Sequence, residues 1–228
     1  MPDSLLIDLT EQLDQQLPQT QCGQCGFDGC KPYAVAMASG QAPINRCPPG
    51  GDNGIVLLSR VLNVPVIALD IQCGQSKPRH IANVAAEHCI GCTLCIKACP
   101  VDAIIGGNKR RHAVIASLCT GCELCIPPCP VDCIDMRLVP GFSDWDKPQA
   151  DAARDRLKQR NSRLARQLEA SEKKLEDKAL GKPSEIDEHE TLSGEANKKR
   201  ALIAAALERA RARRKTADQS VVPFGESD

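Results

Sequence analysis

Residues 88–104 read HCIGCTLCIKACPVDAI and residues 118–134 read LCTGCELCIPPCPVDCI, so one cysteine pattern occurs twice at an offset of 30 residues. Short segments of β character precede the two copies, at 81–85 and 112–115. We therefore expect each half to form a strand, a cysteine loop, a helical turn and a second strand. Two such halves, related by a pseudo-twofold axis, predict a small α+β unit.

Each copy contains the run C-x2-C-x2-C-x3-C-P, which is typical of [4Fe–4S] binding. Three closely spaced thiolates can cover one face of a cubane, but the fourth ligand must come from elsewhere. In two-cluster ferredoxins the last cysteine of each run crosses to the other cluster. Zinc prefers C-x2-C pairs with longer spacers, so it is disfavoured here. The run predicts two ligand sets: Cys89, Cys92, Cys95 and Cys129 for one cluster, and Cys119, Cys122, Cys125 and Cys99 for the other.

A different cysteine pattern lies nearer the N-terminus, with spacers of two, four and 16 residues. Zinc also fits this spacing. Glycines beside the first three cysteines, at positions 23, 26 and 29, favour a tight loop that donates amide N–H groups to cluster sulfur. We predict a third [4Fe–4S] cluster and expect each set of four thiols to converge on one site. The ligands of this cluster would be Cys22, Cys25, Cys30 and Cys47.

Two cysteines remain outside these sets. Cys133 takes the place that Ala103 holds in the other copy, so we interpret it as a small buried apolar residue. Cys73 has no counterpart in the repeat, and we interpret it as a free thiol. His88 lies next to Cys89, where it either faces solvent or forms a hydrogen bond that tunes a cluster.

Composition favours metal over disulfides as the stabilising element. The 228 residues include 14 cysteines and only 2% aromatic residues, so large aromatic side chains supply little of the core. The acidic start of the chain does not resemble a secretory signal, and we expect a cytoplasmic protein with reduced thiols and no membrane span. No catalytic triad or phosphate-binding loop is recognisable, so we expect no catalytic site in this chain.

Charge differs between the two parts of the chain. Residues 1–150 hold 11 Lys and Arg against 14 Asp and Glu, a net −3, whereas residues 151–228 hold 18 against 15, a net +3. Each oxidised cubane with four thiolates would add about −2 to the first part. This polarity favours docking to a basic partner or a membrane-bound assembly and disfavours nucleic-acid binding.

Four regions follow from these patterns: an amphipathic helix at 1–18, a four-cysteine domain at 19–76, a two-cluster domain at 77–140 and a charged tail at 141–228. The first helix should begin after Ser4 and pack a leucine face on the four-cysteine domain, with membrane-surface insertion as the weaker alternative. The leucines of that face are Leu6, Leu9, Leu13 and Leu17.

Within the four-cysteine domain we expect helices at 30–39 and 55–64. The tail carries a heptad seam that either pairs with a partner or lies alone. Residues 196–215 form a second, basic helix, which serves as a solvated face or as a docking element. The seam positions are Leu157, Asn161, Leu164, Leu168, Ser171 and Leu175.

The segments PQTQCGQCGFDGCKPYA, RCPPGG and CTGCELCIPPCPVDCIDM resemble the B subunit of the Rnf-type (also called Rsx) electron transport complex of bacteria. The resemblance covers about residues 15–140. It implies a small helical [4Fe–4S] domain followed by a two-cluster bacterial-type ferredoxin domain, an α+β fold. Members of that family usually begin with a transmembrane helix, whereas we expect peripheral attachment here.

The resemblance implies electron transfer within a membrane complex that couples electron flow to ion movement. The partners would be other subunits of the complex and a redox donor or acceptor protein, on the cytoplasmic face of the inner membrane. Two alternatives are a free-standing soluble polyferredoxin and a redox sensor. The three predicted [4Fe–4S] clusters are common to all of them.

Overall fold

The computed structural model describes residues 3–138 and 146–180 and, beyond these, Leu202, Ala205 and Arg209. The chain divides into two compact units, Met1–Arg163 and Leu164–Asp228. The first unit contains a helical N-terminal module, a β-rich repeat module and the start of a long helix.

Three helices build the N-terminal module: α1 (Asp3–Gln16), α2 (Cys30–Ala38) and α3 (Gly51–Leu62). Short 3-10 turns lie at Pro48–Gly50 and Ile71–Cys73. The leucine face of α1 packs on α2 and α3, as predicted, although the helix begins at Asp3, one residue before Ser4. The buried core includes Leu13, Leu17, Tyr33, Met37, Ile55 and Leu58.

The helix α3 begins four residues earlier than the predicted start at Ile55. Two glycines in its first turn suggested a loop, because glycine is a poor helix former. Tertiary packing overrides that preference, since Gly51 and Gly54 are buried. The helix ends at Leu62, two residues before the predicted end at 64, with Asn63 in the left-handed conformation at φ 52°.

Four strands form the repeat module: β1 (His80–Val84), β2 (Ile104–Gly107), β3 (Arg110–Val114) and β4 (Ile134–Leu138). They make two antiparallel two-stranded sheets, with β1 against β4 and β2 against β3. Each sheet therefore joins one strand from each half of the repeat. In the first sheet His80 lies opposite Leu138 and Val84 opposite Ile134.

The two halves differ between their third and fourth cysteines. The first copy forms the short helix α4 (Leu94–Ala98), whereas the second forms only turns over residues 124–128. In α4 the N–H of Lys97 donates to Thr93 O. The second copy has Pro127 at the position of Lys97, and proline has no N–H to donate. The predicted helical turn is thus absent from the second half.

The long helix α5 (Lys147–Leu180) is found where the tail begins. Its first turns pack on the repeat module, where Ala153 is fully buried. Three leucines of the heptad seam are exposed: Leu164, Leu168 and Leu175. Of the predicted helix at 196–215, only Leu202, Ala205 and Arg209 lie among the described residues. No helix in the described part of the chain has the length and apolar character needed to cross a membrane.

Candidate metal centres

The N-terminal cysteines lie together around the start of α2. We call Cys22, Cys25, Cys30 and Cys47 quartet 1. The pKa of Cys30 is raised to about 12, mainly by burial and in part by nearby Asp14, Cys22 and Cys25. Burial also raises the pKa of Cys47, with added contributions from Cys30, Cys22 and Cys25. All four thiols thus lie within electrostatic range of one another.

The repeat cysteines lie in two crossed groups: Cys89, Cys92, Cys95 and Cys129 are quartet 2, and Cys119, Cys122, Cys125 and Cys99 are quartet 3. The pKa of Cys95 is raised to about 11, mainly by burial and in part by its thiol neighbours Cys92, Cys89 and Cys129. For Cys125, burial raises the pKa to about 12, with contributions from Cys122, Cys119 and Cys99. Cys129 is therefore a neighbour of Cys95, and Cys99 is a neighbour of Cys122 and Cys125, so the last cysteine of each copy lies near cysteines of the other copy.

Backbone N–H groups point at several of these sulfurs. Ala82 N lies 3.4 Å from Cys119 Sγ, and its counterpart in the repeat, His112 N, lies 3.4 Å from Cys89 Sγ. Ala103 N donates to Cys99 Sγ at 3.2 Å. Hydrogen bonds of this kind stabilise thiolates and raise the reduction potential of a bound cluster. The donor sets therefore fit iron–sulfur clusters.

Each repeat loop has a glycine at a point where a neighbouring strand leaves no room for a side chain. A Cβ on Gly91 would lie 2.5 Å from Arg110 N, and one on Gly121 would lie 2.5 Å from His80 O. Both glycines have φ near +70°. The contacts that exclude a side chain at these glycines are with the first residues of β3 and β1.

The thiols of quartet 3 border one cavity, and the rest of its lining is mainly apolar. Such surroundings exclude water and strengthen electrostatic interactions inside. Its lining residues include Cys99, Cys119, Cys122, Cys125, Ala82, Val101, Ile104 and Met136. Four thiols around an apolar cavity fit a cubane better than they fit a polar ligand.

The sequence did not single out His112, which is buried against quartet 2. Its Nδ1 lies 3.2 Å from Cys95 Sγ. When Cys95 is a thiolate it can only accept, so Nδ1–H must be the donor. His88, the histidine that adjacency to Cys89 suggested, is exposed. An alignment of the two copies would have drawn attention to His112, because the second copy has a histidine where the first copy has Ala82.

The two cysteines outside the quartets lie beside them. Cys133 is buried, as expected, and its Sγ lies 3.6 Å from Cys129 Sγ. Cys73 is partly exposed, with Arg46 Nε 3.5 Å from its sulfur, and it is a neighbour of Cys25. All fourteen cysteines are free thiols, so none forms a disulfide.

Raised thiol pKa values determine the chemistry of these quartets. The most strongly shifted thiols are neutral at pH 7, so iron must displace their protons when it binds.

Among the described residues, no three Cys, His, Asp or Glu side chains are grouped closely enough to hold one metal ion. A cubane accepts one thiolate at each of four irons, a wider set than the ligands of a single ion.

Quartets 1 and 3 are adjacent through their loops. Thr120 Oγ1 donates to Thr20 O at 3.2 Å, and Thr120 is buried. Thr20 precedes Cys22 by two residues, and Thr120 lies between Cys119 and Cys122. Quartet 3 is therefore the part of the repeat module that contacts the loop of quartet 1.

Two family models match the chain. A 4Fe-4S dicluster domain matches residues 82–136, which hold quartets 2 and 3. A model for an Fe-S cluster domain matches residues 17–49, which hold quartet 1.

Curated relatives cover the same part of the chain, and each is named as the B subunit of an ion-translocating oxidoreductase complex. The relative from Hahella chejuensis is 57% identical over 138 residues, 60% of this chain and 70% of that protein. The relative from Alkalilimnicola ehrlichii is 54% identical over 152 residues, 64% of this chain and 81% of that protein. The relative from Thiobacillus denitrificans is 59% identical over 108 residues, which are 47% of this chain and 57% of that protein.

Proposed function

The chain belongs to the B-subunit family of ion-translocating oxidoreductase complexes, and from this membership we propose that it relays electrons through three [4Fe–4S] clusters held by quartets 1, 2 and 3. It is an iron–sulfur electron-transfer subunit, as its relatives and matched domains indicate. The observation that supports three sites is the meeting of twelve cysteines in three groups of four, each drawn from distant positions in the chain.

A [4Fe–4S] cluster supplies reversible one-electron chemistry when bound. The residues of this chain provide its surroundings. The thiolates bind iron, and the buried positions of Cys95 and Cys125 keep water from the ligands. The amides of Ala82, Ala103 and His112 donate to sulfur, and these hydrogen bonds stabilise the more negative reduced state.

The order of the relay follows from which quartets are neighbours. The contact between Thr120 and Thr20 supports transfer between quartets 1 and 3. The crossing of Cys99 and Cys129 supports transfer between quartets 3 and 2, because each of these cysteines belongs to the loop of one site and ligates the other. The proposed order is quartet 1, quartet 3, quartet 2.

Anaerobic iron and sulfide analysis, together with EPR spectroscopy of the reduced protein, tests the number of clusters. We expect about twelve irons and about twelve sulfides per chain. About eight irons with one zinc would contradict a cluster at quartet 1 and restore the zinc interpretation of its spacing.

We also propose that the chain attaches peripherally to the cytoplasmic side of the membrane through other subunits. The net charge of −3 on residues 1–150, with the clusters added, favours a basic surface on the partner. Fractionation tests this proposal: the chain should stay with membranes at low salt and be released at high salt. A protein found wholly in the soluble fraction while the other subunits are present would support the free-standing carrier instead.

A further inference from the structure

The repeat creates two equivalent corners, each formed by the sequence Cys-Pro-Val-Asp. Residues 99–102 form the first corner and residues 129–132 the second. Their backbones are alike, since Asp102 and Asp132 have left-handed φ values of 52° and 47°. Because the two corners have the same sequence and a similar φ at the aspartate, we compare the residues that surround each of them.

The helix α5 covers the first corner. Val101 is 1% exposed and Ala153 of α5 is fully buried in the same core. Arg163 Nη2 lies 2.8 and 2.7 Å from the two carboxylate oxygens of Asp102. Arg160 donates to the backbone oxygen of Lys97 and lies 3.6 Å from Asp102. A helix that presents two arginines three residues apart therefore recognises this corner.

Nothing comparable covers the second corner in the described part of the chain. Val131 is 39% exposed, and Pro130 and Asp132 are also exposed. Pro127, which replaces Lys97, is exposed as well. The second corner thus presents an exposed apolar residue next to an exposed carboxylate, and the equivalent two residues of the first corner are the ones that α5 packs on and pairs with.

We propose that the second corner, residues 129–132, docks an arginine-bearing helix of another subunit. The occupant is inferred from charge complementarity and from the helix that occupies the equivalent corner within this chain. The inference rests on the proposed electron relay in one respect: Cys129 belongs to quartet 2, so the docked subunit would exchange electrons there, at the end of the relay opposite quartet 1.

Photo-crosslinking in the intact complex tests the docking directly. We would place p-benzoylphenylalanine at Val131, with Ile7, which is 61% exposed on α1, as the control position. The expected result is a crosslink from position 131 to an arginine-containing segment of another subunit, and a much weaker product from position 7. Equal products at both positions, no product, or a crosslink only to residues 196–215 of this chain would overturn the proposal.

Charge variants give a second measurement. Asp132→Arg should bind roughly tenfold more weakly to membranes that carry the other subunits, and Asp132→Asn should fall between it and the original protein. Asp8→Asn, an exposed aspartate on α1, should bind as the original does. Unchanged binding of Asp132→Arg would contradict docking at this corner.

Failure of the docking and failure of the relay give different results. Iron content and EPR spectra of the Asp132 variants report the clusters independently of binding. A protein with three clusters whose Asp132→Arg variant binds normally would keep the relay and lose the docking corner. A protein that lacks clusters at quartet 2 but crosslinks through position 131 would keep the corner and lose the relay.

Discussion

Single residues distinguish two sites that the repeat makes otherwise similar. His112 and Ala82 are equivalent by position, and their backbone amides make equivalent hydrogen bonds to Cys89 and Cys119. Only His112 adds a side-chain contact, to Cys95 of quartet 2. Since a donated hydrogen bond stabilises the reduced cluster, quartet 2 should have a higher potential than quartet 3 from this cause.

Replacing His112 with Ala should lower the potential of one cluster only. A loss of about 1 kcal/mol in the preference for the reduced state corresponds to about 40 mV for one electron. Redox titration followed by EPR measures this shift. The matched control is His88→Ala, because His88 is exposed and should leave both potentials unchanged. Equal shifts of all clusters in the His112 variant would contradict a local hydrogen bond.

Cys133 and Cys129 should differ in function despite the 3.6 Å between their sulfurs. Cys133→Ala gives the second copy the residue that the first copy has at position 103. We expect this variant to keep its full iron content, whereas Cys129→Ala should lose the cluster of quartet 2. Iron analysis of both purified variants decides the point. Loss of about four irons from Cys133→Ala would show that Cys133 is the ligand.

At the scale of elements, α5 is joined to α1 by a buried ion pair. Arg154 Nε lies 2.9 Å from Asp14 Oδ2, and its Nη2 donates to the Asp14 backbone oxygen at 2.8 Å. The two side chains are only 12% and 5% exposed. Gln19 Nε2 donates to the same carboxylate at 3.0 Å, so the charged groups are well satisfied. Such a pair is costly to break from one side.

Arg154→Ala should therefore loosen the packing of α5 on α1. Leaving Asp14 buried without its cation costs about 3 kcal/mol, which makes opening of these helices about a hundredfold more frequent. Hydrogen–deuterium exchange at the amides of α1 measures it. Lys147→Ala is the control, because the contacts of Lys147 with Asp151 and with the backbone oxygen of Gln15 in α1 are exposed, and their loss should change exchange by less than about fivefold. Similar exchange in the two variants would contradict the role of Arg154.

Local patterns predicted most elements of this chain and few of their long-range contacts. The cysteine spacing is the basis of the proposed quartets, because ligands of one cubane recur at short intervals. The absence of a helical turn at Pro127 could have been predicted from the sequence, because proline has no N–H to donate. The early start of α3 and the docking of Arg154 on Asp14 depend on packing between segments distant in sequence, which neither propensity nor periodicity encodes.

In the proposed relay, quartet 3 lies between the other two sites. Its loop contacts the loop of quartet 1 through Thr120 and Thr20, and it shares crossing cysteines with quartet 2. The exposed second corner lies beside quartet 2, away from the first corner that α5 covers. A relay with one interior site and two outer sites follows from this arrangement.

Removing the cluster of quartet 3 should slow electron transfer between quartets 1 and 2. In a Cys122→Ala variant that lacks the cluster of quartet 3, exchange of electrons between quartets 1 and 2 should be slower than in the original protein. Freeze-quench EPR after rapid photoreduction would follow it. Cys73→Ala is the control, since Cys73 lies beside quartet 1 but outside every quartet. An unchanged rate in the Cys122 variant would contradict the proposed order.

The pairing of β1 with β4 has a consequence for how the protein is made. During translation, β1 and the first cysteine loop leave the ribosome well before Cys129 and β4 do. The first half must therefore wait, unpaired and with its thiols exposed to oxygen, until synthesis has passed Leu138. With the proposed ligand sets, iron delivered earlier would meet incomplete sites, so we expect quartets 2 and 3 to be filled late in synthesis.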